Sequence, residues 1–275
     1  MMTQQELMRE IEVIPPFAAS LMRLTNLILS GEYNIEDVSK IVRFDQGLTV
    51  DVIGYANSVE SGSIKDITSV HEAIVRMGGA RIMRYLLAKW FRGNISASIG
   101  TGKEALGFWR HAVLSAVASD ILVEQVPSFR HPGAFTACLV HDIGRLPFGL
   151  WASRNRIPYD WSLNDAETKE KELAIFGWEH GEVGARVLQK WHFPNILVES
   201  VRNHSAETGG PDPITDVIRA ANIVCRALEN METAETLAQY TVCKRFNINA
   251  TALLEMANCT DVQSVQMLQE FGSAS

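Results

Sequence analysis

The residues of this chain whose type and spacing could do chemistry are its seven histidines, and one of them, His141, is followed directly by Asp142. Imidazole and carboxylate ligands together suit zinc, iron, nickel or manganese better than calcium. Adjacent helical residues point about 100° apart, so this pair cannot chelate from one helix face as an i, i+4 pair does. Gly144 and Pro147 follow and are residues that end helices. We therefore expect the pair at a helix end, where it can bracket one ion or two.

Three more histidines lie at spacings that place them on the apolar face of a helix. His111 precedes a leucine by three residues, His180 precedes a valine by three, and His204 follows a valine by three. One inward histidine is usually a core residue bonded to a backbone carbonyl, but four from separate helices beside an aspartate favour a shared site. The other histidines lack this context and are expected to be surface or structural residues: His71, His131 and His192. The predicted metal ligands are His111, His141, Asp142, His180 and His204.

Helices must position these ligands, because almost every periodic segment has the 3.6-residue spacing of an α-helix. Leu21, Leu24 and Ile28 form one stripe, Asn34 can cap the next helix, and the residues at 69 and 72 form a capping box. The sequence has no sustained alternation of period two and no Asn-Gly hairpin signal. We therefore predict an all-α fold. Later helices are predicted over 80–91, 103–124, 132–145, 168–176, 180–192, 194–204 and 213–229, with two short ones after them.

The stretch 93–102 is small and polar, and it is the best candidate for a boundary between two helical halves. We therefore expect domains over 1–92 and 93–275.

Composition indicates where the protein is located and which classes of partner it can bind. Of the 275 residues, 47% are hydrophobic and 21% charged, and the net charge is −7. We identify no apolar run near the ~18 residues of a membrane span and no signal peptide, so we expect a cytoplasmic protein without a membrane partner. The acidic balance and the lack of an aromatic or Lys/Arg-rich motif argue against nucleic acid. The four cysteines contain no CxxC pair, so we expect free thiols rather than a zinc ribbon or a disulfide framework.

The order of the candidate ligands resembles the HD superfamily of helical metal-dependent phosphohydrolases. It runs through His111, the His141-Asp142 pair, segment 179–184 (EHGEVG) and His204. Between about residues 10 and 228 the chain resembles more narrowly the HDOD family, the HD-related output domains of bacterial signalling proteins. The first-half motifs that carry this resemblance are 14–17 (IPPF), 45–49 (DQGLT), 56–58 (ANS) and 67–78 (ITSVHEAIVRMG). The resemblance implies an N-terminal helical bundle packed on an HD-like helical bundle.

Two substitutions set the chain apart from catalytic HD proteins. The resemblance implies a late aspartate ligand, but Asn222 stands at that position, and Asp216 lies on a different face of the same segment. An amide oxygen binds a divalent cation more weakly than a carboxylate and leaves the site one charge more positive. Arg145 stands where a lysine is usual, and arginine is not an equivalent of lysine. The Gly-Tyr-Pro loop of cyclic di-GMP hydrolases is also absent after His204, which disfavours that activity.

These features predict a stand-alone signal transduction protein of the HDOD type, non-catalytic, that binds a signalling protein partner through its first half. Its HD-like half would keep a pocket for a divalent transition metal (iron, manganese, zinc or nickel) or for a phosphate-containing small ligand. The alternative is a metal-dependent phosphohydrolase of a nucleotide or another phosphoester. In that case Arg145 and His180 are the candidate catalytic residues, because they could stabilise charge on the phosphoryl oxygens.

Overall fold

The computed structural model describes residues 1–58, 67–159, 168–206, 213–229 and 232–272, and within these ranges it is helical with no strand. The predicted all-α class is confirmed. The helices of the first part are α1 (Gln4–Val13), α2 (Ala19–Leu29), α3 (Ile35–Arg43), α4 (Gln46–Ala56), α5 (Val70–Met77) and α6 (Gly79–Ile99). Those that follow are α7 (Lys103–Gln125), α8 (Ala134–Val140), α9 (Arg145–Asn155), α10 (Thr168–Ile175), α11 (His180–Lys190), α12 (Asn195–Asn203), α13 (Pro213–Leu228), α14 (Ala234–Leu237), α15 (Thr241–Arg245) and α16 (Ala250–Gly272).

The chain contains two compact units. The smaller is Pro16–Trp90, and the larger combines Met1–Pro15 with Phe91–Ser275. This division differs from the predicted halves, because α1 belongs to the larger unit. The expected boundary at 93–102 is also largely helical, since α6 continues to Ile99. The assignment of two separate domains, over 1–92 and 93–275, stays a prediction.

In the smaller unit, side-chain caps define the starts of α3 and α5. Asn34 begins α3 as predicted: its side-chain oxygen accepts from the backbone N–H of Asp37 at 2.9 Å, and the Asp37 carboxylate accepts from the backbone N–H of Asn34 at 3.4 Å. Ser69 accepts from the backbone N–H of Glu72 at 3.2 Å and begins α5. The Glu72 carboxylate, however, pairs with Arg76 at 2.7 Å. The predicted capping box is therefore only half formed, because Arg76 holds its second member.

The asparagine of the ANS motif has a structural role in the same unit. The Asn57 side chain donates to the carbonyl of Ile67 at 2.7 Å and accepts from the N–H of Ile67 at 2.7 Å. Both backbone groups of Ile67 are thereby satisfied where the chain returns toward α5. The predicted stripe of Leu21, Leu24 and Ile28 is buried in the core of this unit.

In the larger unit, α7 is the central helix and lies against α8, α13 and α16. By length and composition it is the one helix of the described chain that could cross a membrane, and 72% of its apolar window is buried inside the protein. The sequence predicts no apolar segment long enough to span a membrane, but α7 is long and apolar enough. Its apolar residues are interrupted by Arg110, His111 and Asp120. A central helix in a bundle has the same character, because it must be apolar on most of its faces.

Two predicted helices have other boundaries in the larger unit. The helix expected over 132–145 is broken after Val140, and a new helix begins at Arg145. Gly144 and Pro147 therefore lie at the start of α9, where proline is tolerated because the first helical N–H groups have no intrahelical partner. The last segment forms two short helices and then the long α16 rather than two short helices alone. All four cysteines are free, three of them buried and Cys259 exposed.

Candidate metal centre

The His141-Asp142 pair lies in the tight turn between α8 and α9. The N–H of Ile143 donates to the carbonyl of Val140 at 3.0 Å, and the N–H of Arg145 donates to the carbonyl of Asp142 at 2.9 Å. These short-range bonds turn the chain within four residues. The predicted placement at a helix end is what the structure shows, although the following residues start a helix instead of ending one.

Gly144 allows this turn to contact the start of α11. A Cβ atom at position 144 would lie 2.0 Å from the carbonyl oxygen of His180 and 2.4 Å from the backbone nitrogen of Gly184. Both contacts are to backbone, which cannot move aside as a flexible side chain can. The absence of a side chain at Gly144 therefore brings Asp142 and His180 close together.

The side-chain nitrogens of three histidines converge on one oxygen of Asp142. The Oδ1 atom lies 3.4 Å from Nε2 of His141, 3.3 Å from Nε2 of His180 and 3.6 Å from Nε2 of His204. Nε2 of His111 lies 4.0 Å from the other oxygen, Oδ2. The structure thus brings together all five predicted metal ligands, which come from α7, the α8–α9 turn, α11 and the end of α12.

These atoms form two overlapping ligand groups that share Asp142. One contains His111 and His141, the other contains His180 and His204, and the ligand atoms within each group lie within 4.8 Å of one another. All five side chains belong to residues that are 8% or less exposed. The arrangement could hold one divalent ion or two.

Hydrogen bonds at Nδ1 orient three of the rings. Nδ1 of His141 lies 2.7 Å from the carbonyl oxygen of Cys138, and Nδ1 of His204 lies 2.6 Å from that of Val201. A carbonyl only accepts, so these Nδ1 atoms carry the proton, and in the neutral rings Nε2 presents a lone pair. Nδ1 of His180 lies 2.7 Å from Oε2 of Glu172. A carboxylate or carbonyl behind the ring is the usual support of a metal-binding histidine.

The pKa shifts leave few protons within this cluster. Burial lowers the pKa of His141 to about 3 and also lowers the pKa of His111. Burial alone would raise the pKa of Asp142, but the neighbouring His141, a hydrogen bond with His204 and the nearby His180 and Arg145 outweigh it, and the pKa lies well below its usual value. Burial opposes protonation of His180 as well, yet the Glu172 carboxylate raises its pKa overall. Asp142 is therefore an anion, and burial favours the neutral form of His141 and His111 beside it, whereas His180 binds a proton more readily than usual.

This donor set fits a divalent transition metal. Within the described residues, Nε2 of His141 has no hydrogen-bond partner although it is buried. Nε2 of His180 and Nε2 of His204 lie only 3.0 Å apart, a distance that needs a proton or a cation between two lone pairs. With the imidazoles neutral, Asp142 and Glu172 carry two negative charges and Arg145 one positive charge, so the cluster then has a net negative charge that a proton on His180 or a metal cation can balance.

Arg145, a predicted catalytic candidate, lies within the protein at 1% exposure. Its Nε donates to the hydroxyl of Tyr159 at 3.1 Å and lies 3.8 Å from Oε1 of Glu172, while Nη1 lies 3.9 Å from Oδ2 of Asp142. The guanidinium therefore balances two buried carboxylates.

Asn222 and Asp216 differ in their relation to the site. Burial lowers the pKa of His111, and Asn222 beside it only partly opposes this shift; the Asn222 Oδ1 makes no hydrogen bond of normal geometry within the described chain. Asp216 instead pairs with Arg219 at 3.2 Å and Arg245 at 2.7 Å, and it belongs to neither ligand group. It therefore does not replace the late aspartate.

Glu172 is the residue that sequence reasoning missed. It is 2% exposed, although its helix is rich in charged residues and shows no apolar stripe pointing to it. The three other histidines lie apart from the cluster: His71 is near Glu36, His131 accepts from the N–H of Gly133, and His192 has a left-handed backbone with φ of 60°.

Comparison with known proteins identifies the fold and the sequence family. The HDOD domain model matches residues 14–207. A solved HDOD domain protein of unknown function from Geobacter sulfurreducens is 17% identical, with a TM-score of 0.73, over 97% of this chain and 96% of that one. Two solved proteins from Shewanella amazonensis also share the fold. The first, provisionally described as a phosphohydrolase, is 19% identical with a TM-score of 0.68, over 96% of this chain and 97% of that one. The second, provisionally described as a metal-dependent phosphohydrolase, is 18% identical with a TM-score of 0.60, over 94% of this chain and 96% of that one.

An uncharacterised protein of Treponema pallidum (strain Nichols) is 21% identical over 80% of this chain. The match spans 43% of that relative's length, so the relative is much the longer protein.

The contact at Gly144 gives a first prediction. Gly144→Ala should destabilise the protein by about 1–3 kcal/mol or more, because the added methyl group meets backbone atoms of α11. Gly107→Ala is the matched control, since a Cβ at that exposed helical position meets nothing within 4 Å, and it should be neutral or stabilising. Urea unfolding followed by circular dichroism measures both. Equal stability of the two variants would contradict the tight contact.

Proposed function

Since this chain belongs to the HDOD family, we propose that it is a non-catalytic signal transduction protein that binds a protein partner and carries a buried divalent-metal centre. The observation that carries the proposal is the convergence of three Nε2 atoms on one oxygen of Asp142. His111, His141, Asp142, His180 and His204 would hold the metal. When bound, such an ion cross-links its ligands and can act as a Lewis acid.

The environment of the ligands favours a structural or sensory centre over a catalytic one. Structural metal sites are closed by protein ligands, whereas catalytic sites keep one position open for water or substrate. Here every candidate ligand is buried, and Arg145 is already engaged by Tyr159, Glu172 and Asp142. Asn222 beside His111 supplies an amide where a catalytic site would supply a carboxylate. Each of these features leaves fewer groups free to bind a phosphoester or to activate it for hydrolysis.

A phosphohydrolase is the second candidate, and one observation favours it. A cavity of about 510 Å³ reaches His204 and Asn222, so a small molecule could approach one side of the cluster. In that case His180 would be held in place by Glu172, and Arg145 would offset negative charge near Asp142.

The unit Pro16–Trp90 is the proposed partner-binding part. It exposes large apolar side chains, and a protein surface of this kind often serves association. Phe44 is 84% exposed, with the Arg43 guanidinium 5.5 Å from its ring centre, and Val50 and Val75 are also exposed. Aromatic residues and arginine are enriched where proteins bind one another.

Metal content tests the centre. The purified protein should contain close to one or two transition-metal ions per chain, and His141→Asn should lose most of this content. Glu172→Gln should weaken metal affinity about 10–100-fold, because the carboxylate behind the His180 ring is lost. His192→Asn is the matched control, since it removes a histidine outside the cluster at a left-handed position that asparagine tolerates. Mass spectrometry of metals measures the outcome, and a metal-free wild-type protein after growth with these metals would refute the centre.

Hydrolysis assays separate the two candidate functions. With added manganese or iron, the protein should show no specific hydrolysis of any member of a broad phosphoester panel. Any background rate should be the same in His141→Ala. Asn222→Asp tests the reason, because it introduces a carboxylate beside His111 and should raise metal affinity. Hydrolysis by the wild type that disappears in His141→Ala would overturn the non-catalytic proposal and favour the phosphohydrolase.

Site-specific cross-linking tests the partner surface. A photoreactive amino acid at position 44 of this chain should capture the same protein in repeated experiments in the native host. The same residue placed at Leu106, an exposed apolar position of the larger unit, is the control and should not capture that protein. Equal capture at both positions, or none at position 44, would contradict a partner surface around Phe44.

A further inference from the structure

Two segments of the larger unit line most of the cavity beside the metal centre. Helix α13 contributes Arg219, Asn222 and Arg226, while the α14–α15 segment contributes Tyr240 and polar side chains. Its volume of about 510 Å³ is in the range of pockets that hold small organic ligands, roughly 300–1,000 Å³. None of the described residues that line it is acidic, and its two arginines pair with Asp216 and Glu232.

Arg226 lines this cavity with a positively charged side chain. Its Nη2 forms an ion pair with Glu232, which fixes the guanidinium. Its Nε is buried and has no hydrogen-bond partner within the described residues. A buried donor without an acceptor is unfavourable, and a guanidinium binds phosphate or carboxylate groups well because its N–H groups match their geometry. The Arg226 side chain as a whole lines the cavity and is 16% exposed, so it can meet an anion there.

Tyr240 supplies a flat wall next to the same arginine. The Arg226 guanidinium lies 5.0 Å from the centre of the Tyr240 ring, and the Tyr240 hydroxyl lies 3.4 Å from both carboxylate oxygens of Glu232. Ile223 and Val242 add apolar surface. An aromatic ring of a ligand could pack against this surface while its acid group contacts Arg226.

Arg219 links the cavity to the metal centre. Its Nη2 donates to the carbonyl of Asn203 at 2.7 Å, its Nε donates to the carbonyl of His204 at 3.3 Å, and Asp216 holds its Nη1 at 3.2 Å. These bonds fix the end of α12, which carries the His204 ring. A ligand in the cavity would therefore lie against the group that positions one metal ligand.

We propose that this cavity binds a small anion with an aromatic ring, either a phosphate monoester or a carboxylate, with Arg226 at the acid group and Tyr240 beside the ring. The inference rests on the proposed function and deepens it, because it gives the signalling protein a small ligand next to its metal centre. The two residues proposed to contact the ligand, Arg226 and Tyr240, belong to neither metal-ligand group, so binding can be measured after the metal is removed.

The test uses three probes with this chain after removal of metal by a chelator: phenyl phosphate, benzoate and inorganic phosphate. Ligand-observed NMR titration should show that phenyl phosphate, benzoate or both bind several-fold more tightly than inorganic phosphate, which lacks the ring. Binding of phenyl phosphate alone identifies a phosphate ligand, and binding of benzoate alone identifies a carboxylate. No binding by either aromatic probe, or equal binding of inorganic phosphate and phenyl phosphate with no benzoate binding, would overturn the proposal.

Variants with opposite expected effects identify the cavity. Arg226→Ala should weaken the aromatic anions about tenfold or more, because a charge-assisted contact is lost. Glu232→Gln should strengthen them, because a negative charge next to Arg226 is removed. Damage to the fold would weaken binding in both variants. Tyr240→Leu should weaken the aromatic probes but leave inorganic phosphate unchanged.

Arg76→Ala is the matched control, because it removes the arginine of another ion pair, with Glu72, in the smaller unit. Its probe affinities should equal those of the wild type. Unchanged affinity in Arg226→Ala, or the same loss in Arg76→Ala, would overturn the assignment of the cavity. If the protein purifies without metal yet binds the probes as described, the metal centre fails and the ligand site stands.

Discussion

The Oδ1 atom of Asp142 faces three imidazole nitrogens inside the protein, and most of these atoms can only accept a hydrogen bond. Such a group of acceptors is unfavourable in a buried setting unless a cation or protons lie between them. Burial keeps His141 neutral, while the Glu172 carboxylate raises the pKa of His180 despite its burial. Protons alone therefore satisfy the cluster poorly, and the remaining negative charge favours a divalent metal.

The helices around this cluster are arranged to keep these acceptors together. The central α7 provides His111, the sharp α8–α9 turn provides the His-Asp pair, and Gly144 lets that turn meet the backbone of α11. Bonds at Nδ1 then hold the rings, from backbone carbonyls for His141 and His204 and from Glu172 for His180. A metal site requires ligand rings that are held in place by hydrogen bonds at the nitrogen opposite the metal. The adjoining cavity shares one of these ligands, His204.

The sequence predicts much of this site because its signals are local. His111, His180 and His204 each lie at helical spacing from an apolar residue, so their inward direction follows from periodicity. Glu172 could not be found in this way, because its burial depends on where α10 packs and not on its own charged surroundings. The membership of α1 in the larger unit is likewise tertiary, shown by the Glu10–Arg154 pair at 2.8 Å between α1 and α9. The break before α9 was missed because glycine and proline occur both where helices end and where they begin.

Anomalous X-ray diffraction from crystals of the protein grown with iron, manganese or zinc tests the central claim most directly. The account predicts an anomalous peak, at the absorption edge of the bound metal, at bonding distance from Asp142 and from Nε2 of His141, His180 or His204. The absence of a peak, with Nε2 of His180 and Nε2 of His204 still in hydrogen-bond contact, would show that a proton alone holds the cluster together and would contradict the metal centre.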